Sequence, residues 1–243
     1  MIVDASDFVF MPPTELNWVR RVLIKPFTSC QLPYPATVSP QMLQSIIDGI
    51  RKVSDADILI AAAMPSGDPI YPTYKALEYD FHHVLMLDIR DSIFVEVENP
   101  LVKFYAVESF WIPSIVLRSD FLISVAPFRV RGKFGLFGIA NLLDLLPVSK
   151  YQKGNSGGWG SLYDRGIEKV LADLYFTMPF DLSIIEARQR AFYSEEGEEK
   201  KVEDSGKIFI GDLYENDLRA SQMAGIESEY LQLIDEGRSQ LEE

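Results

Sequence analysis

Apolar residues fall in short blocks along this chain, separated by polar and proline-containing stretches at strand-sized and helix-sized intervals. Residues 20–27, RRVLIKPF, read as a strand closed by Pro26, which has no amide to donate. Residues 28–38 hold Pro33 and Pro35 and predict an extended loop. Ser39-Pro40 is a helix start, with Ser as N-cap and Pro at the first helical position. Met42, Leu43, Ile46, Ile47 and Ile50 then share one face of a helix expected to run to about Ser54. Residues 57–63, DILIAAA, are apolar on both faces, as in a parallel strand between two helical layers. Residues 20–63 therefore predict a strand–helix–strand unit, a crossover that is nearly always right-handed.

The same pattern continues downstream. A turn at 65–69 leads to a short helix at 71–79, a strand at 84–88 and a half-exposed strand at 93–97. Residues 104–117 predict one or two strands. A buried strand spans 121–126 and is ended by Pro127; a glycine-containing loop and a short helix at 139–143 follow. The glycine-rich segment 154–160 reads as a mobile connection that could serve as a lid over a site. A helix at 163–175, a strand at 182–186, a solvated charged loop at 194–204, a last strand at 207–211 and a helical tail from Asp212 complete the chain. Alternating strands and helices give an α/β fold with a mostly parallel sheet flanked by helices. The 243 residues suit one domain, or two lobes at about 1–118 and 119–243.

Charge sharpens this picture. The chain carries 36 acids against 23 bases, a formal charge of −13, yet no Asp or Glu lies between Phe121 and Leu143. Within that acid-free stretch Arg129, Arg131 and Lys133 alternate, so an extended backbone projects them to one side. They could converge on an anion, Arg offering a bidentate fork; as a solvated loop they would instead pair with the abundant acids. The acidic balance argues against a nucleic-acid surface spread over the whole face. No apolar run reaches membrane-spanning length, and the N-terminal sequence does not read as a signal peptide, so the cytoplasm is the expected compartment. A single cysteine, Cys30, excludes an internal disulfide framework and a cysteine-only iron–sulfur site within one chain.

Other residues carry weaker chemistry. Lys25 closes a strand at the edge where ligands of open parallel sheets bind, or is a surface lysine whose stem covers apolar atoms. Asn141 sits on the short helix beyond the basic loop. Asp212 and Asp217 follow the last strand and could hold a divalent metal; Asp212 is equally placed to be a helix N-cap. His82 and His83, adjacent on an extended segment, would point to opposite faces and not share a metal. Cys30 reads as an idle thiol rather than a nucleophile.

The order of these features resembles the domain of unknown function family 362. The strand ending Lys25-Pro26, the proline-rich loop and the helix after Thr37-Val38-Ser39-Pro40 look like its opening. Asp120 to Pro127, the basic Arg129, and the segment from Ile139 through Asn141 and Asp144 to Pro147 resemble its middle. Residues 181–186 and 208–217 resemble its later strands, so the match runs collinearly over roughly residues 20–235. Several polar positions of the pattern differ here: Phe27 stands for an Asn, Arg129 for a Lys, Ala140 for a Lys, Asp144 for a Gly, and Glu186 for an Asp. The cysteine-rich ferredoxin-like insert of many members is missing. The resemblance thus implies the fold more than an activity.

Taken together, the sequence points to a binder of a small anionic metabolite at the strand ends, with little or no catalysis. Lys25, Arg129, Arg131, Lys133 and Asn141 would form its cradle, and Asp212 and Asp217 a metal corner. Two alternatives stay open. One is a redox or metal-assisted enzyme working with a separate iron–sulfur partner. The other is a scaffold or assembly subunit, self-associating through an exposed apolar patch.

Overall fold

The structure, a computed structural model, describes residues 1–154 and 158–241. Its main sheet contains β1 (Ile2–Asp4), β2 (Arg21–Pro26), β3 (Asp57–Ala62) and β4 (Val84–Asp88) from the first half of the chain. From the second half it takes β7 (Phe121–Arg131), β8 (Phe134–Gly135), β9 (Leu182–Tyr193) and β10 (Glu199–Gly211). The order across the sheet is β1-β10-β9-β7-β2-β3-β4, with β8 pairing on β7. Contacts from β9 through to β4 are all parallel, while β1 and β10 run antiparallel at one edge. A separate hairpin is formed by β5 (Phe94–Glu98) and β6 (Ser109–Pro113). The expected α/β class with a mostly parallel sheet is what the chain adopts. Strands from both sides of residue 118 share the one sheet.

Among the described residues eight α-helices cover the sheet and its ends: α1 (Pro40–Arg51), α2 (Tyr71–Ala76), α3 (Ser114–Leu117), α4 (Val148–Tyr151), α5 (Gly160–Tyr163), α6 (Ile167–Thr177), α7 (Leu213–Ala224) and α8 (Glu229–Leu241). Side-chain alternation divides the apolar strands between two cores. Val22, Ile24, Ile58, Ile60, Ile123 and Val125 face α1 and bury Leu43, Ile46 and Ile50 of its apolar stripe. Leu23, Leu59, Ala61 and Leu122 face the opposite layer, which is built from α6 and α8. This period-2 split is why the middle strands read as continuously hydrophobic. The start of α1 is as expected: the Ser39 hydroxyl accepts from the Met42 amide at 3.1 Å, and Pro40 follows it.

Several boundaries differ from the sequence reading, β9 among them, which runs on to Tyr193. β7 does not end at Pro127 but continues to Arg131, so Arg129 and Arg131 stand on a strand rather than in a loop. The strand tolerates the proline through an irregularity: Pro127 pairs with Glu186 and Phe128 with Arg190, three residues of β9 being looped out between them. The charged stretch 194–204 is no loop either. Its first residues turn and the rest is β10, paired antiparallel with β9. Within 104–117 one strand forms, one of the two outcomes the sequence allowed, but residues 114–117 are the helix α3. The helix expected at 163–175 begins at Ile167, because Gly166 at φ 88° breaks it from α5. The lid expected at 154–160 includes residues 155–157, outside the described ones. Beside them Trp159 is buried, its indole N–H donating to the Leu146 carbonyl at 3.0 Å. Among the described residues no helix is long and apolar enough to cross a membrane.

Candidate functional site

The sheet order reverses between β2 and β7. From β2 the chain steps outward through α1 to β3 and β4, and later returns to place β7 on the other side of β2. In open parallel sheets the crevice beyond the strand C-termini at such a reversal is the usual ligand position. Here β2 ends at Pro26, paired with Val125, while β7 runs on past it through Arg129 to Arg131.

On the layer of α6 and α8, β2 presents Lys25 where a neighbouring turn of sequence would present Leu23. Lys25 is completely buried. Its ammonium donates to Asn141 Oδ1 at 2.6 Å, Asp144 Oδ2 at 3.1 Å and the Pro26 carbonyl at 3.2 Å. Asn141 in turn donates through Nδ2 to the carbonyls of Lys25 and Val125 and to Ser124 Oγ, at 3.0, 3.2 and 3.0 Å. Ser124 donates to the Gly138 carbonyl at 2.9 Å, and Ser29 to Asp144 at 2.7 Å. Asn141 and Asp144 both lie in a 3₁₀ turn, Ala140–Leu145. Three residues per turn stack positions i and i+3, so the two side chains meet one lysine. Burial pushes the Lys25 ammonium below its ordinary pKa, and the Asp144 carboxylate opposes that shift.

All three lysine donors are spent inside the protein. Lys25 and Asn141, expected to touch a ligand, instead brace each other beside the end of β2. The physical reason is that an ammonium out of water needs every proton satisfied, and the 3₁₀ turn supplies the acceptors.

The basic trio diverges. Arg129 is sandwiched between two rings, its guanidinium carbon 4.5 Å from the Phe27 centroid and 4.9 Å from the Tyr193 centroid. Lys25 Nζ lies 5.9 Å from the same Phe27 centroid, so the two cations flank one ring. Among the described residues Arg129 Nε is buried without a hydrogen-bond partner, and so is the hydroxyl of Thr28, next in sequence to Phe27. Arg131 is drawn away to the β9–β10 turn, donating through Nε to the Glu195 carbonyl at 2.9 Å. Lys133 is exposed at the turn between β7 and β8. The projection of all three onto one anion gives way to a single stacked arginine.

Asp212 and Asp217 also part company. Asp212 caps α7, accepting from the Glu215 amide at 3.1 Å, and approaches Arg238 at 3.7 Å. Asp217 is fully buried; its carboxylate accepts from the amides of Gly138 and Ile139 at 2.9 and 3.0 Å and from the Tyr230 hydroxyl at 3.0 Å. Desolvation raises its pKa to about 7, against the pull of those donors. Among the described residues no three His, Cys, Asp or Glu side chains gather as metal ligands. The two aspartates serve as a cap and an internal clasp, because α7 starts one residue after Asp212 and turns Asp217 toward the sheet.

Glu186 was not singled out for chemistry by the sequence, yet it anchors a second buried polar group. Its carboxylate accepts from the Ser39 amide at 2.9 Å and the Ser39 hydroxyl at 2.6 Å, and pairs with Arg188. Burial raises its pKa and the Ser39 donors and Arg188 oppose this. Asp144, Ser124 and Ser29 were likewise missed as members of the lysine cluster. The i, i+3 spacing of Asn141 and Asp144 was the available signal, informative only once the turn is known to be 3₁₀.

No family model and no curated protein sequence matches the chain. Among solved structures, the lactate racemase apoprotein from Thermoanaerobacterium thermosaccharolyticum is similar in fold, with a TM-score of 0.56 and 15% sequence identity. The alignment covers 90% of this chain and 53% of that one, so the chain spans about half the length of that neighbour. At this identity the likeness is one of fold, an α/β architecture with a central, mostly parallel sheet.

Proposed function

We propose that this chain binds a small anionic metabolite in the crevice beyond β2 and β7, with Arg129 as the cationic contact and little or no catalysis. The observation that carries the reading is the Arg129 guanidinium, held in register by Phe27 and Tyr193, whose buried Nε has no protein acceptor among the described residues. A guanidinium at a partly exposed position, with its buried Nε unsatisfied, can take an anion through a charge-assisted bond. Fixing the fork between two rings lowers the entropy that binding would otherwise cost. Lys25, Asn141 and Asp144 keep the end of β2 rigid. Membership of family 362, suggested by the collinear motifs, belongs to the same reading. The name of the fold neighbour makes lactate, a small carboxylate, a natural member of the probe set.

Thermal unfolding in the presence of phosphate, sulfate, lactate and dicarboxylates tests this, with chloride at matched ionic strength as control. A ligand of the native state raises the midpoint. Arg129→Ala, at a partly exposed strand position, should weaken the response about tenfold or more. No anion-specific shift in the native sequence, or a shift that survives Arg129→Ala, refutes the proposal.

A further inference from the structure

A separate cavity of about 270 Å³ opens at the C-terminal ends of β3 and β4, with none of the residues around Arg129 in its lining. Its inner wall is apolar, made by Ala63 after β3, Ile89 after β4, Phe94 of β5 and Leu146 beyond the 3₁₀ turn. The turn at 64–67, closed by a Gly67 amide bond to the Met64 carbonyl at 2.9 Å, forms one lip, and α4 forms the other. A β-carbon on Gly67 would stand 3.9 Å from Val148, so the two lips face each other across a narrow mouth.

The rim holds two opposite charges that do not pair with each other, Asp68 and Arg90. Arg90 is tethered but lightly used: it lies 3.5 Å from Asp88 Oδ2 and donates to the Gly67 carbonyl at 3.4 Å, with its side chain 46% exposed. Asp88 itself is occupied by the amides of Ile70 and Arg90. Among the described residues the Asp68 carboxylate has no protein partner; only its backbone amide is bonded, to Ser66 Oγ at 3.4 Å. A half-exposed guanidinium held loosely by Asp88 and a carboxylate without a side-chain partner among the described residues, both over one apolar hollow, are complementary to a molecule carrying both charges and a hydrocarbon tail.

We infer that this cavity is a binding site for a free α-amino acid with an apolar side chain. Arg90 receives the α-carboxylate, Asp68 the α-ammonium, and the side chain enters between Ile89, Phe94 and Leu146. The volume sits just under the range of drug-sized pockets, which suits an amino acid rather than a peptide or nucleotide. A charged side chain would be stranded against the apolar wall without a partner.

Saturation-transfer NMR and calorimetry on the full chain, with L-leucine and L-methionine as probes, test the assignment. 4-Methylpentanoate lacks the ammonium, 3-methylbutylamine lacks the carboxylate, and L-lysine and L-glutamate carry charged tails. The expected result is binding of leucine and methionine, with each comparison compound at least about tenfold weaker. Arg90→Gln and Asp68→Asn, both at exposed positions, should each lose about tenfold, and Val148→Trp should fill the mouth and abolish binding. Arg129→Ala should leave leucine binding unchanged, separating this site from the anion crevice. Absence of leucine and methionine binding overturns the inference. So does binding indifferent to Arg90→Gln or Asp68→Asn, or binding of 4-methylpentanoate or 3-methylbutylamine as tight as that of leucine.

Discussion

Replacing Lys25 with Met tests whether the buried lysine is an internal brace or a ligand contact. At 3.1 Å from Asp144, the pair attracts by about 5 kcal/mol at an effective dielectric near 20. Taking both ions out of water costs several kcal/mol each, so the net contribution of the intact pair is small. Its rupture is different. Lys25→Met leaves Asp144, side chain 6% exposed, with Ser29 as its remaining donor, and removes the cation that orients Asn141. Breaking one side of a buried pair typically costs about 3–5 kcal/mol. The double variant Lys25→Met/Asp144→Leu removes both charges, restores apolar packing, and should recover most of that loss. Urea unfolding followed by circular dichroism, with m-values confirming comparable transitions, gives the three free energies. A loss under about 1 kcal/mol in Lys25→Met, or a double variant no more stable than the single, refutes the brace. A brace also predicts that anions still raise the midpoint of the double variant.

Two further changes report on the Asp217 clasp. The folded-state pKa of about 7 lies above the unfolded value near 4, so native Asp217 holds its proton across that interval. Its contribution to stability is therefore full below about pH 4, falls as pH rises, and is flat above about pH 7, a span of about 4 kcal/mol. Asp217→Asn removes that slope: the stability difference between wild type and variant should move against wild type by about 2–3 kcal/mol from pH 5 to pH 7, and a pH-independent difference in urea titrations contradicts the assignment. Gly138→Ala places a β-carbon 2.4 Å from Ser183 Oγ and 3.1 Å from Asp217 Oδ1, which should destabilise the chain by about 1–3 kcal/mol; an unchanged unfolding midpoint would show that the loop yields freely.

The central strands were readable because burial on both faces leaves a mark in one dimension. DILIAA and FLISVA admit little but core strands, and Ser39-Pro40 announces a helix by local chemistry alone. The β9–β10 hairpin was not readable for the opposite reason. EEGEEKKVED forms the outer end of an edge ribbon, where backbone pairing rather than side-chain burial fixes the conformation. Pro127 read as a terminator because the three residues that β9 loops out to accommodate it lie sixty positions away in sequence. The site divides similarly. Arg129 and Lys25 were visible as cations near a strand end, but what each one faces depends on Phe27, Tyr193 and the 3₁₀ turn. Alternation alone placed Arg131 beside Arg129; only the hairpin turn at Glu195 explains why its donor goes elsewhere.

The carboxylate of Glu186 has a consequence for what this protein can recognise. In many α/β proteins the first helix after a strand greets phosphate with bare amides. Here Pro40 has no amide, that of Met42 is held by the Ser39 hydroxyl, and Ser39 gives both its own donors to Glu186. The doorstep on which a nucleotide would rest its phosphates already has a tenant from the chain itself, so visitors must arrive by another door.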